Sequence, residues 1–426
     1  MFFTKTAGKR ILIVAVALSF AILLILPAVL AALILGGRDD TVSQTESETS
    51  AFEQTEPEPD YEQPVSPQEI VRPVISPTEK TTVDIGLYYG YSCLSAFTLS
   101  AAEGSVLSFG GDVSKYAEFT WQDGVMYLNG NKCQKILVRS SAPITFSRTG
   151  WSYEGSMIVT NTARGIMVVN RVDTETYVKG VMSGEIGEDG SYESRKAFAV
   201  ICRTLVFTAK DHGEDFDLCS KNCCQSYRGT YHRNELNDKA VDDTKGLVLT
   251  YEGKPCLVSY SSSHGYNSCS SYAAWVGADI PYLRVVRYEN EPLDYGGLWE
   301  VTYTYEQLSN RLKYYTVTGN VASVTVGETD PFGSTYVYKL KVVDTAGNVS
   351  EVVYGGNIMA VLGVRCANFT IEQIPGGIII HGIGNGHGVG YSQRGGHQLG
   401  VEGYTWNMIL SFYFPGTEVK EIKMYN

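Results

Sequence analysis

The sequence predicts an α+β fold: a mixed ectodomain with β-rich parts around a central helical region, set behind an N-terminal transmembrane helix and a disordered stalk. Three observations predict this. Residues 11–35 are an uncharged apolar run of 25 residues. Residues 39–80 carry 11 Asp/Glu against 2 Lys/Arg, six Pro and no Gly. Beyond residue 82, short alternating runs give way to helical periodicity and then resume. The expected division is a cytoplasmic N-terminus (1–10), an anchor (11–36), an acidic linker (37–80) and a folded ectodomain (81–420).

At about 1.5 Å per residue, the first run is long enough to cross roughly 30 Å of hydrocarbon. Lys5, Lys9 and Arg10 precede it, and Arg38, Asp39 and Asp40 follow. The positive-inside rule therefore places the rest of the chain outside the cytoplasm, as a single-pass protein of the cell membrane. The acidic segment cannot bury enough apolar surface to fold, so it reads as an extended spacer. A formal net charge of −12 argues against a nucleic-acid partner, because phosphate binding needs a basic surface.

In the ectodomain, residues 82–160 alternate in short runs punctuated by Gly and Asn, which predicts strands, and 165–170 adds another. Asp173 can cap a helix over 174–184 that presents Tyr177, Val178, Val181 and Met182 on one face. A second helix, over 193–210, is apolar nearly all round and should be central. A third spans 234–245 and ends at Gly246. Strands follow at 247–251 and 256–261. Thr304 and Gln307 form a capping-box signature for a helix reaching Tyr314. Strands at 321–326 and 336–343, a Gly-rich loop at 382–390, and an amphipathic helix bearing Trp406, Ile409, Leu410 and Tyr413 complete the pattern.

Several residues could carry chemistry. Glu185 lies just past the end of the 174–184 helix among Gly184, Ile186 and Gly187, which leave room for a substrate. The partial negative charge of a helix C-terminus disfavours a carboxylate there and suits a general acid. Arg203, within an apolar helix, needs either an acidic partner or a substrate. The Gly-rich loop lacks the Lys-Ser/Thr of a nucleotide loop. It reads instead as backbone that can approach a ligand, with His387, Ser392 and Gln393 as polar contacts. The chain has nine cysteines, for which disulfides are the expected state outside the cytoplasm. His212, Cys219, Cys223 and Cys224 form a compact group that could hold a structural zinc or contain a disulfide. Cys269 or Cys224 with His264 would be the parts of a cysteine hydrolase, though neither thiol lies in a nucleophile motif.

Five stretches, taken in order, resemble the SpoIID/LytB domain, the stage II sporulation protein D family. They are Asn170 to Val181, Glu185-Ile186, Glu193 to Thr204, Cys224-Gln225-Ser226-Tyr227-Arg228-Gly229, and Gly386 to Gln393. The resemblance implies a peptidoglycan lytic transglycosylase. Such an enzyme cuts between N-acetylmuramic acid and N-acetylglucosamine and leaves a 1,6-anhydro end, with sporulation members favouring peptide-stripped strands. It puts the catalytic acid on Glu185. It also implies a zinc held by His212, Cys219 and Cys224, with Cys223 where a His is common. Arg203, Gln225, Tyr227, His387, Ser392 and Gln393 become the substrate-binding candidates. Glycan strands, the membrane and other wall-remodelling proteins are the expected partners. A non-catalytic glycan-binding module is the alternative. The sequence departs from the family pattern at Phe198, at Ile201-Cys202, at Gly187 and at Gly395-Gly396-His397. One visible carboxylate fits the reaction, since the sugar's own 6-hydroxyl replaces the second carboxylate of an ordinary glycosidase. The 29 Tyr and 5 Trp offer faces on which sugar rings can stack.

Overall fold

The computed structural model describes residues 74–75 and 82–422, apart from 187–189, 209–211, 214, 276, 278 and 295–296. The expected anchor and most of the linker lie outside the described residues. Among the described residues no helix is long and apolar enough to cross a membrane.

The expected α+β balance is corrected towards β: 25 strands stand against eight α-helices among the described residues. Period-two alternation, turned by Gly, dominates both before and after the helical region. In residues 82–173 it builds two antiparallel-rich sheets. One runs in the order Leu218–Cys219, Thr82–Tyr88, Gly165–Asp173, Ser156–Thr162, Lys135–Arg139, Leu107–Phe109, Asp112–Ser114. The other contains Ala96–Ala101 beside Tyr116–Gln122 and Ile144–Phe146. Leu99, Phe119, Val138, Met157, Val159 and Val168, drawn from both sheets, are fully buried in one apolar core. A second core, around Leu308, Val324, Leu340, Val342, Ile358 and Ile380, joins two three-stranded sheets in residues 298–383.

The helices that position the site belong to the first core. Helix α1 (Thr174–Glu185) starts where Asp173 accepts from the Thr176 N–H at 3.0 Å. Its expected face, Tyr177, Val178, Val181 and Met182, is fully buried; each such side chain is worth roughly 1.5–3 kcal/mol of burial. Helix α2 (Tyr192–Thr208) is buried on nearly every side, as a central helix must be. Helix α3 (Glu235–Asp243) is capped by Asn234. Helix α4 (Tyr305–Leu312), which packs into the second core away from the site helices, carries the capping box: Gln307 N–H donates to Thr304 Oγ1 at 3.2 Å and Thr304 N–H donates to Gln307 Oε1 at 2.9 Å.

Two expectations near the site are revised. The strand expected at 256–261 pairs only over Tyr260–Ser261. Upstream, the Cys256 N–H goes to Leu249 O and the Leu257 N–H goes to the Tyr282 hydroxyl, so no regular ladder continues. Two helices follow the Gly-rich loop, not one: α5 (Gln393–Val401) and α6 (Trp406–Tyr413). Gly395, Gly396 and Gly400 obscure α5, because glycine is a poor helix former.

Candidate active site

Glu185 is the last residue of α1, so the helix runs one residue further than the sequence suggested. Two glycines on α1 make room for the segment that meets it. A Cβ on Gly180 would lie 2.5 Å from Tyr227 Cε2, and one on Gly184 would lie 2.2 Å from the Ser226 carbonyl oxygen. This close approach lets the Ser226 N–H donate to Glu185 Oε1 at 2.5 Å. Burial pushes the Glu185 carboxyl above its ordinary range; the Ser226 N–H, the Tyr260 hydroxyl and the Arg228 charge pull the other way. Desolvation is thus the main cause of the shift.

Glu185 opens onto a cleft of about 220 Å³, also lined by Ile186, Ser194, Phe198, Ser262, Gln393, Arg394 and His397. Ser194 and Phe198 come from α2, and Gln393, Arg394 and His397 come from α5. Arg394 N–H donates to Ser262 O at 3.1 Å, tying α5 to the Tyr260–Ser261 strand. His397 Nδ1 accepts from the Ser191 N–H at 2.8 Å, which leaves Nε2 to carry the ring proton.

Of the six expected substrate contacts, only Gln393 lines this cleft. The other five are corrected to positions behind it. Arg203 is fully buried. Its Nε and Nη2 bond Glu175 at 2.9 and 2.6 Å, and Nη1 donates to Leu247 O at 3.0 Å. This guanidinium joins α1 to α2 and has no route to the cleft. Tyr227 is 2% exposed and donates to Asn170 Oδ1 at 2.7 Å. Gln225 is fully buried beside the Tyr177 hydroxyl. Ser392 is buried as the N-cap of α5, accepting from Gly395 N–H at 3.1 Å. His387 Nδ1 accepts from the Val389 N–H at 3.0 Å, and Nε2 lies 3.1 Å from Ser259 Oγ. Both ring nitrogens are therefore committed to protein, and burial pushes its pKa down to about 4.

The Gly-rich loop is likewise corrected. Its glycines face protein: a Cβ on Gly388 would lie 2.3 Å from Tyr336 Cζ, and one on Gly390 would lie 2.3 Å from Ser259 O. The loop is packed, not held open for a ligand. Ser194, Ser262, Arg394 and His397 escaped the sequence reading. In the sequence His397 stands only as a departure from the family pattern, and Ser392 as a helix cap is the signal that points to α5.

The expected disulfides are absent: all nine cysteines carry free thiols. Cys269 is 1% exposed and its thiol is pushed up by burial, while His264 is 2% exposed and pushed down to about 3. Neither thiol of the hydrolase alternative lines the cleft. The metal candidates do converge. The ligand atoms of His212, Cys219, Cys223 and Cys224 all lie within 4.8 Å of one another. His212 Nε2 is 2.9 Å from Cys224 Sγ, and Cys219 Sγ is 2.8 Å from Cys223 Sγ. Hydrogen bonds from the neighbouring thiols and from Tyr89 favour the thiolate at Cys219. Three sulfurs and one imidazole fit the donor set of a structural zinc.

Residues 162–251, which contain Glu185 and this sulfur group, match the family described as stage II sporulation protein. An uncharacterized protein of Brachyspira hyodysenteriae is 30% identical over 290 residues, covering 66% of this chain and 76% of that protein. Stage II sporulation protein D of Bacillus subtilis is 28% identical over 278 residues, covering 59% and 76%. The amidase enhancer of Bacillus subtilis is 26% identical over 288 residues, covering 56% of this chain and 40% of that protein. The chain belongs to the SpoIID/LytB family, the family of stage II sporulation protein D.

Proposed function

We propose that this chain is a peptidoglycan lytic transglycosylase that cuts glycan strands with Glu185 as acid and then as base. The observation that carries the reading is a desolvated carboxyl, protonated more readily than usual, at the edge of a polar cleft. It is also the only carboxyl among the described residues lining that cleft, which suits a reaction needing one. Glu185 would protonate the glycosidic oxygen between N-acetylmuramic acid and N-acetylglucosamine as the C–O bond breaks. The muramic 6-hydroxyl would then attack C1, and Glu185 would take its proton. No water is consumed, and a 1,6-anhydro end results. Such a substrate lies in the cell wall, so the reading carries an extracytoplasmic location with it.

The proposal includes a structural zinc held by His212, Cys219, Cys223 and Cys224. Its contribution would be to fix the segment that continues through Cys224 to Ser226, and so to hold the N–H that meets Glu185. A metal bound there would supply folding energy and no chemistry in the cleft.

The similarity to an amidase enhancer favours one second reading: a glycan-binding module that acts on a separate wall enzyme. Mass spectrometry of products from purified, peptide-free glycan strands separates the two. Terminal 1,6-anhydro sugars support the transglycosylase. Binding without new ends sinks it and favours the module, and new reducing ends point to a hydrolase.

A further inference from the structure

Glu291 sits in a stretch that reads as exposed loop, next to Glu289 and Asn290, yet its side chain is 4% exposed. Its Oε1 accepts from Ser263 Oγ at 2.6 Å and from the His264 N–H at 2.7 Å. The Ser392 hydroxyl and the Gly265 N–H lie close enough to favour its ionised form, and Oε2 lies against Gly395 in the first turn of α5. Among the described residues no Lys or Arg forms an ion pair with it. A buried carboxylate held only by neutral donors is an expensive way to gain stability, because an uncharged group would avoid the desolvation.

The donors show what the carboxylate joins. Ser263 follows the cleft residue Ser262, and Ser392 precedes the cleft residues Gln393 and Arg394. Ser392 Oγ accepts from the Gly395 N–H, and its hydroxyl lies beside both the Glu291 carboxyl and the Tyr413 phenol. Gly395 admits the carboxyl: a Cβ there would lie 2.8 Å from Glu291 Oε2 and 2.1 Å from the Tyr413 hydroxyl. A negative charge at the first turn of α5 also suits the helix dipole.

The geometry points to Glu291 as a positioning residue whose carboxylate clamps the end of the Tyr260–Ser261 strand to the N-terminus of α5, and so sets the substrate-binding wall of the Glu185 cleft. This inference rests on the proposed glycan-cleaving function. The clamp works fully only when Glu291 is ionised, since a protonated oxygen would face a donor. Burial puts its pKa at about 7. The titratable groups around it do not change charge in that range: His264 is held neutral by burial and by His387, and the Tyr288, Tyr336 and Tyr413 phenols are all pushed up. The substrate KM should therefore fall as pH rises through neutrality.

The test is steady-state kinetics of the full chain on peptide-free glycan strands between about pH 6 and 8, with melting temperatures for every variant. Glu291→Gln should raise KM on the order of tenfold at the upper end of that range, with a much smaller change in kcat. It should also make KM independent of pH. Glu291→Asp should restore part of the pH dependence. Ser392→Ala, which removes one donor and leaves Glu291 in place, should raise KM by less. A Glu291→Gln protein that keeps the native KM and its pH dependence overturns the inference. So does a variant whose kcat and KM worsen only in step with its melting temperature. If the native chain binds strands without cutting them, the proposed reaction fails instead. The clamp is then read from strand affinity, which Glu291→Gln should weaken near pH 8 and leave unchanged near pH 6; equal affinities at both would overturn it.

Discussion

The Ser226 N–H donates to Glu185 Oε1 at 2.5 Å, across 41 residues of chain. This bond fixes the orientation of the carboxyl while burial raises its pKa. In the proposed reaction Oε2, which Ser226 does not engage, would exchange the proton with substrate. The close approach of Ser226 to α1 depends on Gly184, and the sulfur group ends two residues upstream at Cys224.

Glu185→Gln should abolish glycan cleavage while leaving fold and strand binding intact. The amide has nearly the same shape and can still accept from Ser226, but it cannot donate an acidic proton or take one back. Loss of general acid–base catalysis costs on the order of 10² to 10⁴ in rate. Glu188, outside the described residues, is the control, and Glu188→Gln should be mild. Normal cutting by the Glu185 variant with loss in the Glu188 variant would reassign the acid.

The activity of the native chain should fall on the alkaline side. The proposed reaction would begin with protonated Glu185, and the protonated fraction drops as pH rises through the folded pKa, which lies above the ordinary carboxylate value. Arg228 stabilises the ionised form, so Arg228→Gln should move that alkaline limb to higher pH. A limb that stays put or moves down would show that Glu185 is not the titrating group.

Gly184→Ala should damage catalysis more than its size suggests. The new methyl would lie 2.2 Å from the Ser226 carbonyl oxygen, so one of the two backbones must shift. Displacement of about 1 Å at a catalytic group can cost on the order of 100-fold, and overpacking typically costs about 1–3 kcal/mol. Activity together with denaturant melts checks both, and an unaltered kcat would mean that the Ser226 contact is dispensable.

Arg203→Met should destabilise the protein by about 3–5 kcal/mol, because Glu175 would be left as a buried, unpaired charge. The double variant with Glu175→Gln should recover part of the loss in chemical denaturation. Were Arg203 a substrate contact instead, Arg203→Lys would fold normally and raise KM.

Protein purified without chelator should hold about one zinc per chain, and Cys219→Ser or Cys224→Ser should lose metal and thermal stability together. Metal analysis paired with calorimetry measures this. Metal-free protein with a Cys219–Cys223 disulfide would replace the zinc with a covalent staple.

Local sequence made much of the framework legible. The Asp173 cap, the buried stripe of α1, the all-round apolar α2 and the Thr304/Gln307 box each act within a few residues, so composition and spacing reveal them. Glu185 was legible for the same reason: a carboxyl at a helix end among glycines. The overall balance of strand over helix was less so, because short alternating runs are individually weak signals.

What the sequence by itself determined, then, is the family, and it singled out Glu185 and the sulfur group as candidates, all carried by contiguous motifs. Which residues wall the cleft was decided only in three dimensions. Arg203 and Tyr227 lie in motifs yet face the core, where Glu175 and Asn170 satisfy them. His397 lies outside recognisable chemistry yet is brought to the cleft by α5, and Glu291, from a distant loop, is buried against Ser263 beside it. The glycines at 395, 396 and 400, which lower helix propensity, are required there because Tyr413, Tyr391 and Ser191 occupy the space of their side chains. Propensity acts between neighbours in the chain. Burial and hydrogen-bond satisfaction act between segments more than 200 residues apart, as between Ser191 and His397, and only the packed chain specifies them.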